Sequence, residues 1–239
     1  MDYTLIIPAY NEEAELPATL ASVRAAMAMA LPRAGEVIVV DNNSKDRTAA
    51  VAEALGARVV FEPYNQISRA RNAGGNAAVG RYLIWIDADT RIPPELVRLA
   101  LEQLESGQVV GGGAAVAYDC ELDGFSRRAL TAWNWLSRTQ KLAAGSFVWC
   151  LQEAFLATGG YSEEVYASEE IWFSKALKRW ARPRGLRFEI ITSARVITSS
   201  RKMQWYSPGR LALIMCGHLL FPWSVRSRRL CAFWYHRPH

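Results

Sequence analysis

Cysteine is scarce in this 239-residue chain: Cys120, Cys150, Cys216 and Cys231 lie far apart, with no CxxC pair and no nearby histidine at metal-ligand spacing. That pattern excludes a disulfide framework and a Cys/His zinc site. No apolar run approaches the ~20 residues of a membrane-spanning helix, and the start Met1-Asp2-Tyr3-Thr4 lacks the basic residues of a secretory leader. The expectation is a cytoplasmic protein. No internal repeat or low-complexity linker occurs. Acidic residues are also missing from one stretch: from Ile190 onward there are eight Lys or Arg and no Asp or Glu, which leaves 20 basic against 23 acidic residues upstream. The net charge of +5 therefore describes the C-terminal part and argues against a uniformly basic, nucleic-acid-binding domain.

What is present is a globular composition, 51% hydrophobic and 21% charged, in a length that suits one large domain with a short appendage. Tyr3 to Pro8 reads as a strand, and Leu16, Leu20, Val23, Met27 and Leu31 follow at helical spacing. Glu36 to Asp41 is a second buried strand, with an Ala-rich helix from Asp46-Arg47-Thr48 to Gly56. Arg58 to Phe61, a helix over Ser68 to Val79, and the strand Arg81 to Asp87 continue the alternation. Pro93-Pro94-Glu95 opens a helix that runs to Gly107. A strand over Val109 to Ala117 carries Gly111-Gly112-Gly113, which lacks GxGxxG spacing and reads as a bulge or a close backbone approach. Beyond residue 120 come an aromatic-rich segment with Phe125, Trp133 and Trp135, a helix over Glu169 to Trp180, and a short strand over Phe188 to Ile191. The pattern predicts an α/β fold with a mainly parallel sheet, helices on both faces, and ligands beyond the carboxyl ends of the strands.

Asp41 and Asp87 stand at such ends. In extended chain, residues i and i+2 point the same way, so Asp87-Ala88-Asp89 can present two hard carboxylates to a cation or a metal-bound diphosphate. A solvated loop is the plain alternative. The remaining charged residues also have plain roles available. Asn11-Glu12-Glu13 can cap a helix, Asp41 can stabilise a turn, and Arg71 can lie on a helix surface. Glu169-Glu170 can complement the dipole of a helix that ends in Lys178-Arg179.

Four motifs occur in order: Ile7-Pro8-Ala9-Tyr10-Asn11-Glu12, Val39-Val40-Asp41-Asn42-Asn43-Ser44, Ala70-Arg71-Asn72-Ala73-Gly74 and Asp87-Ala88-Asp89. Together they resemble the family 2 glycosyltransferases over most of residues 4–200. The resemblance implies a GT-A fold, a nucleotide-diphosphate sugar donor such as a UDP- or GDP-sugar, Mn²⁺ or Mg²⁺, and inversion at the anomeric carbon. It implies that Pro8, Ala9, Tyr10 and Glu12 wrap the nucleotide, that Asp41 accepts a hydrogen bond from the base, and that Arg71 neutralises phosphate or braces Asp87. Asp89, supported by Asp87, would hold the metal. The Gly159-Gly160-Tyr161 turn resembles the floor of an acceptor pocket, and Glu169-Glu170 resembles the Glu-Asp pair that supplies the general base. Glu170 stands where the family has Asp, so either glutamate is a candidate. Arg201 resembles a position near the diphosphate.

The expected organisation is a transferase domain over 1–200, with a donor half (1–107) and an acceptor half (108–200), and a basic, aromatic helical tail over 201–239. The tail is expected to touch the cytoplasmic membrane surface beside a lipid-linked acceptor, or to pack as a plain C-terminal helix. Two other readings remain: a sugar-1-phosphate nucleotidyltransferase, which would need a Gly-rich, Arg-containing loop that Leu5 to Glu15 lacks, and a non-catalytic nucleotide-sugar-binding protein.

Overall fold

In the computed structural model, which describes residues 1–201 and 221–235, alternate residues of each central strand face opposite layers. Leu5 and Ile7 of β1 (Tyr3–Ala9) meet one core, and Ile6 meets the other. The same alternation holds in β2 (Gly35–Asp41), where Val39 faces the first core and Ile38 and Val40 the second. In β4 (Tyr82–Ile86), Ile84 and Ile86 face the first core and Leu83 and Trp85 the second. Such strands are apolar on both faces because helices cover both.

The first layer holds α1 (Leu16–Ala30), α2 (Thr48–Ala54) and α4 (Leu96–Glu105), with α5 (Gly124–Gln140) against it through Leu130 and Trp133. The second holds α3 (Ile67–Ala77), α6 (Gln152–Thr158) and α7 (Glu169–Ala181). Gly74 lets α3 lie close on the sheet, since a Cβ there would run into Ile6 and Val40.

The remaining strands are β3 (Arg58–Phe61), β5 (Thr90–Arg91), β6 (Val109–Tyr118), β7 (Phe147–Leu151) and β8 (Arg187–Thr198). The sheet order is β3-β2-β1-β4-β7-β6-β8-β5. All neighbouring pairs are parallel except those made by β7 and β5. The carboxyl ends of β1, β2, β3, β4, β6 and β8 therefore share one edge, as the sequence predicts. Because β7 runs the other way, its amino-terminal end, preceded by Gly145-Ser146, joins that edge.

The triple glycine serves close packing: a Cβ at Gly112 would collide with the Glu189 carbonyl and the Trp149 ring. The β6–β8 register also slips between Val109 and Gly111.

Two elements differ from expectation. The strand expected over Phe188 to Ile191 runs for 12 residues, Arg187–Thr198, because a bulge absorbs its polar middle: Ile191 faces Ala114, while the next pair is Arg195 with Ala115. The aromatic segment after residue 120 contains the 17-residue helix α5, whose N-cap Asp123 accepts from the Ser126 N–H at 2.9 Å.

Part of the C-terminal region packs on the main body. Val225 and Cys231 bury against Val165 and Ala167, and Tyr166 N donates to Val225 O at 2.6 Å. Its described elements are a 3₁₀ turn, Pro222–Arg226, and α8 (Ala232–Tyr235). The expected tail residues Lys202 to Leu220 lie outside the described residues. Among the described residues no helix is long and apolar enough to cross a membrane.

Candidate active site at the carboxyl edge of the sheet

Two loops from adjacent strands build one side of the site. Ala9 and Asp41 sit opposite each other at the ends of β1 and β2. Beyond them the chain turns on Asn11 and Asn43, both in the left-handed region (φ 53° and 63°), which asparagine tolerates better than most residues. The loops are laced together: Asn11 N donates to Ser44 Oγ at 3.0 Å, Glu12 N to Thr48 Oγ1 at 2.8 Å, and Lys45 N to Asn11 Oδ1 at 2.7 Å. Asp41 is buried and accepts the Ser44 N–H at 3.1 Å, so the plain turn role is filled. Asn42 does further bracing, donating to the Glu62 and Tyr64 carbonyls and accepting from Gln66 N.

Arg71 stands at the centre, 2% exposed, on the second turn of α3. Nη1 donates to Glu169 Oε1 at 2.7 Å, and Nη2 donates to Asp87 Oδ1 at 3.0 Å and to Gly145 O at 3.1 Å. The Tyr161 ring lies 5.2 Å from the guanidinium, and Trp85 Nε1 donates to Arg71 O at 3.0 Å. Burial opposes the charge on Arg71, but Glu169 and Asp87 outweigh it and hold the group protonated above its ordinary range. Gly145 had no place in the sequence reading. Its signal was the run of small residues Ala143-Ala144-Gly145-Ser146, which lets the β7 entry approach Arg71.

The neighbouring residue of the Ala-Arg-Asn motif carries the Gly159-Gly160-Tyr161 turn. Asn72 Nδ2 donates to Tyr161 O at 2.9 Å, and Tyr161 N donates to Asn72 Oδ1 at 2.8 Å. Gly160, at φ 73°, leaves room for that clamp. Below it, Trp85 packs against Phe155, Tyr161 and Phe173 with ring centroids 5.4, 5.3 and 5.8 Å away.

Glu169 and Glu170 open α7 just after Ser168, which is left-handed at φ 60°. They have different surroundings. Glu169 is buried on Arg71, whereas Glu170 is partly exposed at the edge. Removal from bulk water, and then the charge of Glu169, raise the Glu170 carboxyl from 4.5 to about 8.

On the far side, Asp89 follows β4, and its carbonyl accepts Ser199 N at the end of β8 at 3.1 Å. Arg201 Nη2 donates to Asp89 Oδ2 at 3.2 Å and to Glu12 Oε2 at 2.8 Å. The edge thus gathers the predicted Pro8, Ala9, Tyr10, Glu12, Asp41, Arg71, Asp87, Asp89, Glu169, Glu170 and Arg201 around the ends of β1, β2, β4 and β8. Arg69 turns away to pair with Glu163 at 3.1 Å.

Comparison with known proteins gives the same direction. The model of "Glycosyl transferase family 2" matches residues 4–155. An undecaprenyl-phosphate 4-deoxy-4-formamido-L-arabinose transferase of Pseudomonas aeruginosa is 36% identical over 154 residues, which cover 59% of this chain and 40% of that protein. The chain thus matches well under half of that relative's length. Among solved structures, a mannosyltransferase from Pyrobaculum calidifontis in complex with GDP-Man and Mn²⁺ has a TM-score of 0.69 at 19% identity, over 95% of this chain and 64% of that one. Glucosyl-3-phosphoglycerate synthase from Mycobacterium tuberculosis, in complex with Mn²⁺, UDP and glucosyl-3-phosphoglycerate, has a TM-score of 0.62 at 18% identity, over 97% and 80% of the two chains. The fold is the GT-A fold of these enzymes. With its family model covering well over half of its length, the chain belongs to glycosyl transferase family 2.

Proposed function

We propose that this protein is a metal-dependent, inverting glycosyltransferase that moves a sugar from a UDP- or GDP-sugar to an acceptor hydroxyl in glycan, glycolipid or cell-envelope synthesis. The observation that carries the proposal is the buried Arg71 fork, which ties Asp87 on the donor side to Glu169 on the acceptor side. Donor complexes of the solved neighbours support the donor class, and the Pseudomonas relative's name supports a lipid-linked acceptor.

Pro8, Ala9, Tyr10 and Glu12 then wrap the nucleotide, Asp41 accepts from the base, and Asp87 steadies the ribose or diphosphate. Asp89, with Asp87, suits Mn²⁺ or Mg²⁺: both are hard oxygen donors at the site edge, and such ions complete their shells with phosphate oxygens and water. Bound there, the cation would offset negative charge on the leaving diphosphate. Glu170 takes the acceptor proton as the acceptor oxygen attacks C1. The bond from C1 to the diphosphate breaks on the opposite face, its electron pair leaves with the diphosphate, and inversion follows. Glu169, committed to Arg71, positions rather than exchanges protons.

Release of nucleotide diphosphate from UDP- and GDP-sugars, with Mn²⁺ and a glycan or lipid-linked saccharide acceptor that carries a free hydroxyl, tests the activity, and the anomeric coupling of the product tests inversion. Asp89→Ala is expected to abolish Mn²⁺-dependent donor binding in calorimetry, a loss of at least about tenfold. Unchanged metal-linked affinity would remove Asp89 from the metal site.

Phe221, Trp223 and Leu230 are exposed beside Arg226, Arg228 and Arg229, a combination that suits peripheral contact with an anionic cytoplasmic membrane surface. Each basic residue there contributes about 1 kcal/mol at low salt. Flotation with anionic but not neutral vesicles is expected, lost in high salt and in a Trp223→Ser, Arg226→Ser, Arg229→Ser variant. Flotation unaffected by those substitutions would place the contact elsewhere.

A further inference from the structure

We propose that Arg201 is a resident counter-cation that holds Asp89 closed to metal until a diphosphate draws it away, so that metal and donor enter together. The proposal rests on the reading of Asp89 as the metal ligand. Arg201 Nη2 lies 2.8 Å from Glu12 Oε2 and 3.2 Å from Asp89 Oδ2, and Nε lies 4.0 Å from Glu15 Oε1. One guanidinium thereby faces carboxylates from both the β1–α1 connection and the Asp-x-Asp turn. It already makes the contact with Asp89 that a divalent cation would need.

A cation on Asp89 beside this guanidinium would place like charges within a few ångströms, in a site partly screened from water, where repulsion is strong. The two therefore compete for Asp89 unless an anion lies between them. A diphosphate supplies that anion and offers the paired oxygens that an arginine fork recognises best. The exchange needs only a side-chain swing. The backbone around Arg201 is pinned by Ser199 N on Asp89 O at 3.1 Å and Ser200 N on Asp119 Oδ1 at 2.9 Å. A donor that binds the swung arginine and the metal better than either alone shifts the equilibrium by that difference.

Titration with Mn²⁺, read by the paramagnetic resonance of the free ion, tests this in wild type, Arg201→Gln, Asp89→Asn and the double variant, with and without UDP or GDP. Without nucleotide, Arg201→Gln is expected to bind Mn²⁺ about tenfold more tightly than wild type, the factor set by loss of a charge-assisted hydrogen bond. The gain should vanish in the double variant. With nucleotide present, Arg201→Gln should be no tighter than wild type. Arg201→Lys, which keeps the charge on a shorter side chain that reaches the two carboxylates less well, should fall between, and it replaces Arg201→Gln if that variant fails to fold. Equal or weaker Mn²⁺ binding on loss of the guanidinium, or a gain that survives Asp89→Asn, overturns the proposal. Nucleotide-linked Mn²⁺ affinity that Asp89→Asn leaves unchanged overturns the metal site itself, a separate result.

Discussion

Glu170→Gln is expected to cut sugar transfer by about 10²–10⁴-fold while leaving donor binding intact, because the amide keeps the shape of the carboxyl but cannot take the acceptor proton. The raised carboxyl also sets a pH signature. Transfer in wild type should climb as pH rises toward about 8, where Glu170 becomes ionised, and level off above it. Stability runs the opposite way. Unfolded, the group titrates near 4.5; folded, near 8, so between these values the folded chain holds a proton that the unfolded chain releases. Its contribution to stability is complete at acid pH and is lost as pH rises through 8. Glu170→Gln should therefore melt higher than wild type at pH 8.5 and close to it at pH 5. Full transfer by Glu170→Gln with an inactive Glu169→Gln would move the base one residue back.

Arg71→Met is expected to be the most destabilising single change at the site. It strands Glu169 without its charge partner in a buried setting and takes from Asp87 the guanidinium that lies 3.0 Å away. Breaking a buried pair in this way costs about 3–5 kcal/mol, which in a domain of this size lowers the melting temperature by roughly 6–20 °C. Lysine should rescue little, since one ammonium cannot serve two carboxylates and a carbonyl in the plane of a fork. The double change Arg71→Met with Glu169→Met should recover part of the loss, because it removes the stranded charge as well. A melt of Arg71→Met within 2 °C of wild type would show that the fork does not hold the edge together.

The architecture from β1 to β4 was legible because its signals are local. Continuous apolar runs in β1, β2 and β4 marked a sheet covered on both faces, and Asp41 and Asp87 marked its carboxyl ends. The Gly111-Gly112-Gly113 reading as a close approach held for the same reason. Long-range partnerships were not legible. Arg71 meets Glu169 98 residues away and Arg201 meets Glu12 189 residues away, and no periodicity encodes either pairing. The full length of β8 was hidden by the polar Thr192-Ser193 that a bulge displaces. Helix α5 was hidden because it buries little, with Phe125 and Trp135 facing solvent. The reversed direction of β7 has no sequence signature, yet it brings the Gly145 carbonyl to Arg71.

The short partnership of β7 with β6 has another consequence. β7 pairs with β6 only over Gly111 to Gly113, so among the described residues the outer part of β6 has β8 alone as a flanking strand. Asn134 of α5 fills in there: its Nδ2 donates to Val116 O at 2.9 Å, and its Oδ1 accepts from Val116 N at 3.0 Å. A side-chain amide thus imitates one residue of a missing strand. An open strand flank invites another chain to add to it, the first step toward intermolecular sheets. The plug occupies the donor and acceptor that such an invader would use, so protection against self-association at this interior gap in the sheet comes from a helix rather than from charge or proline.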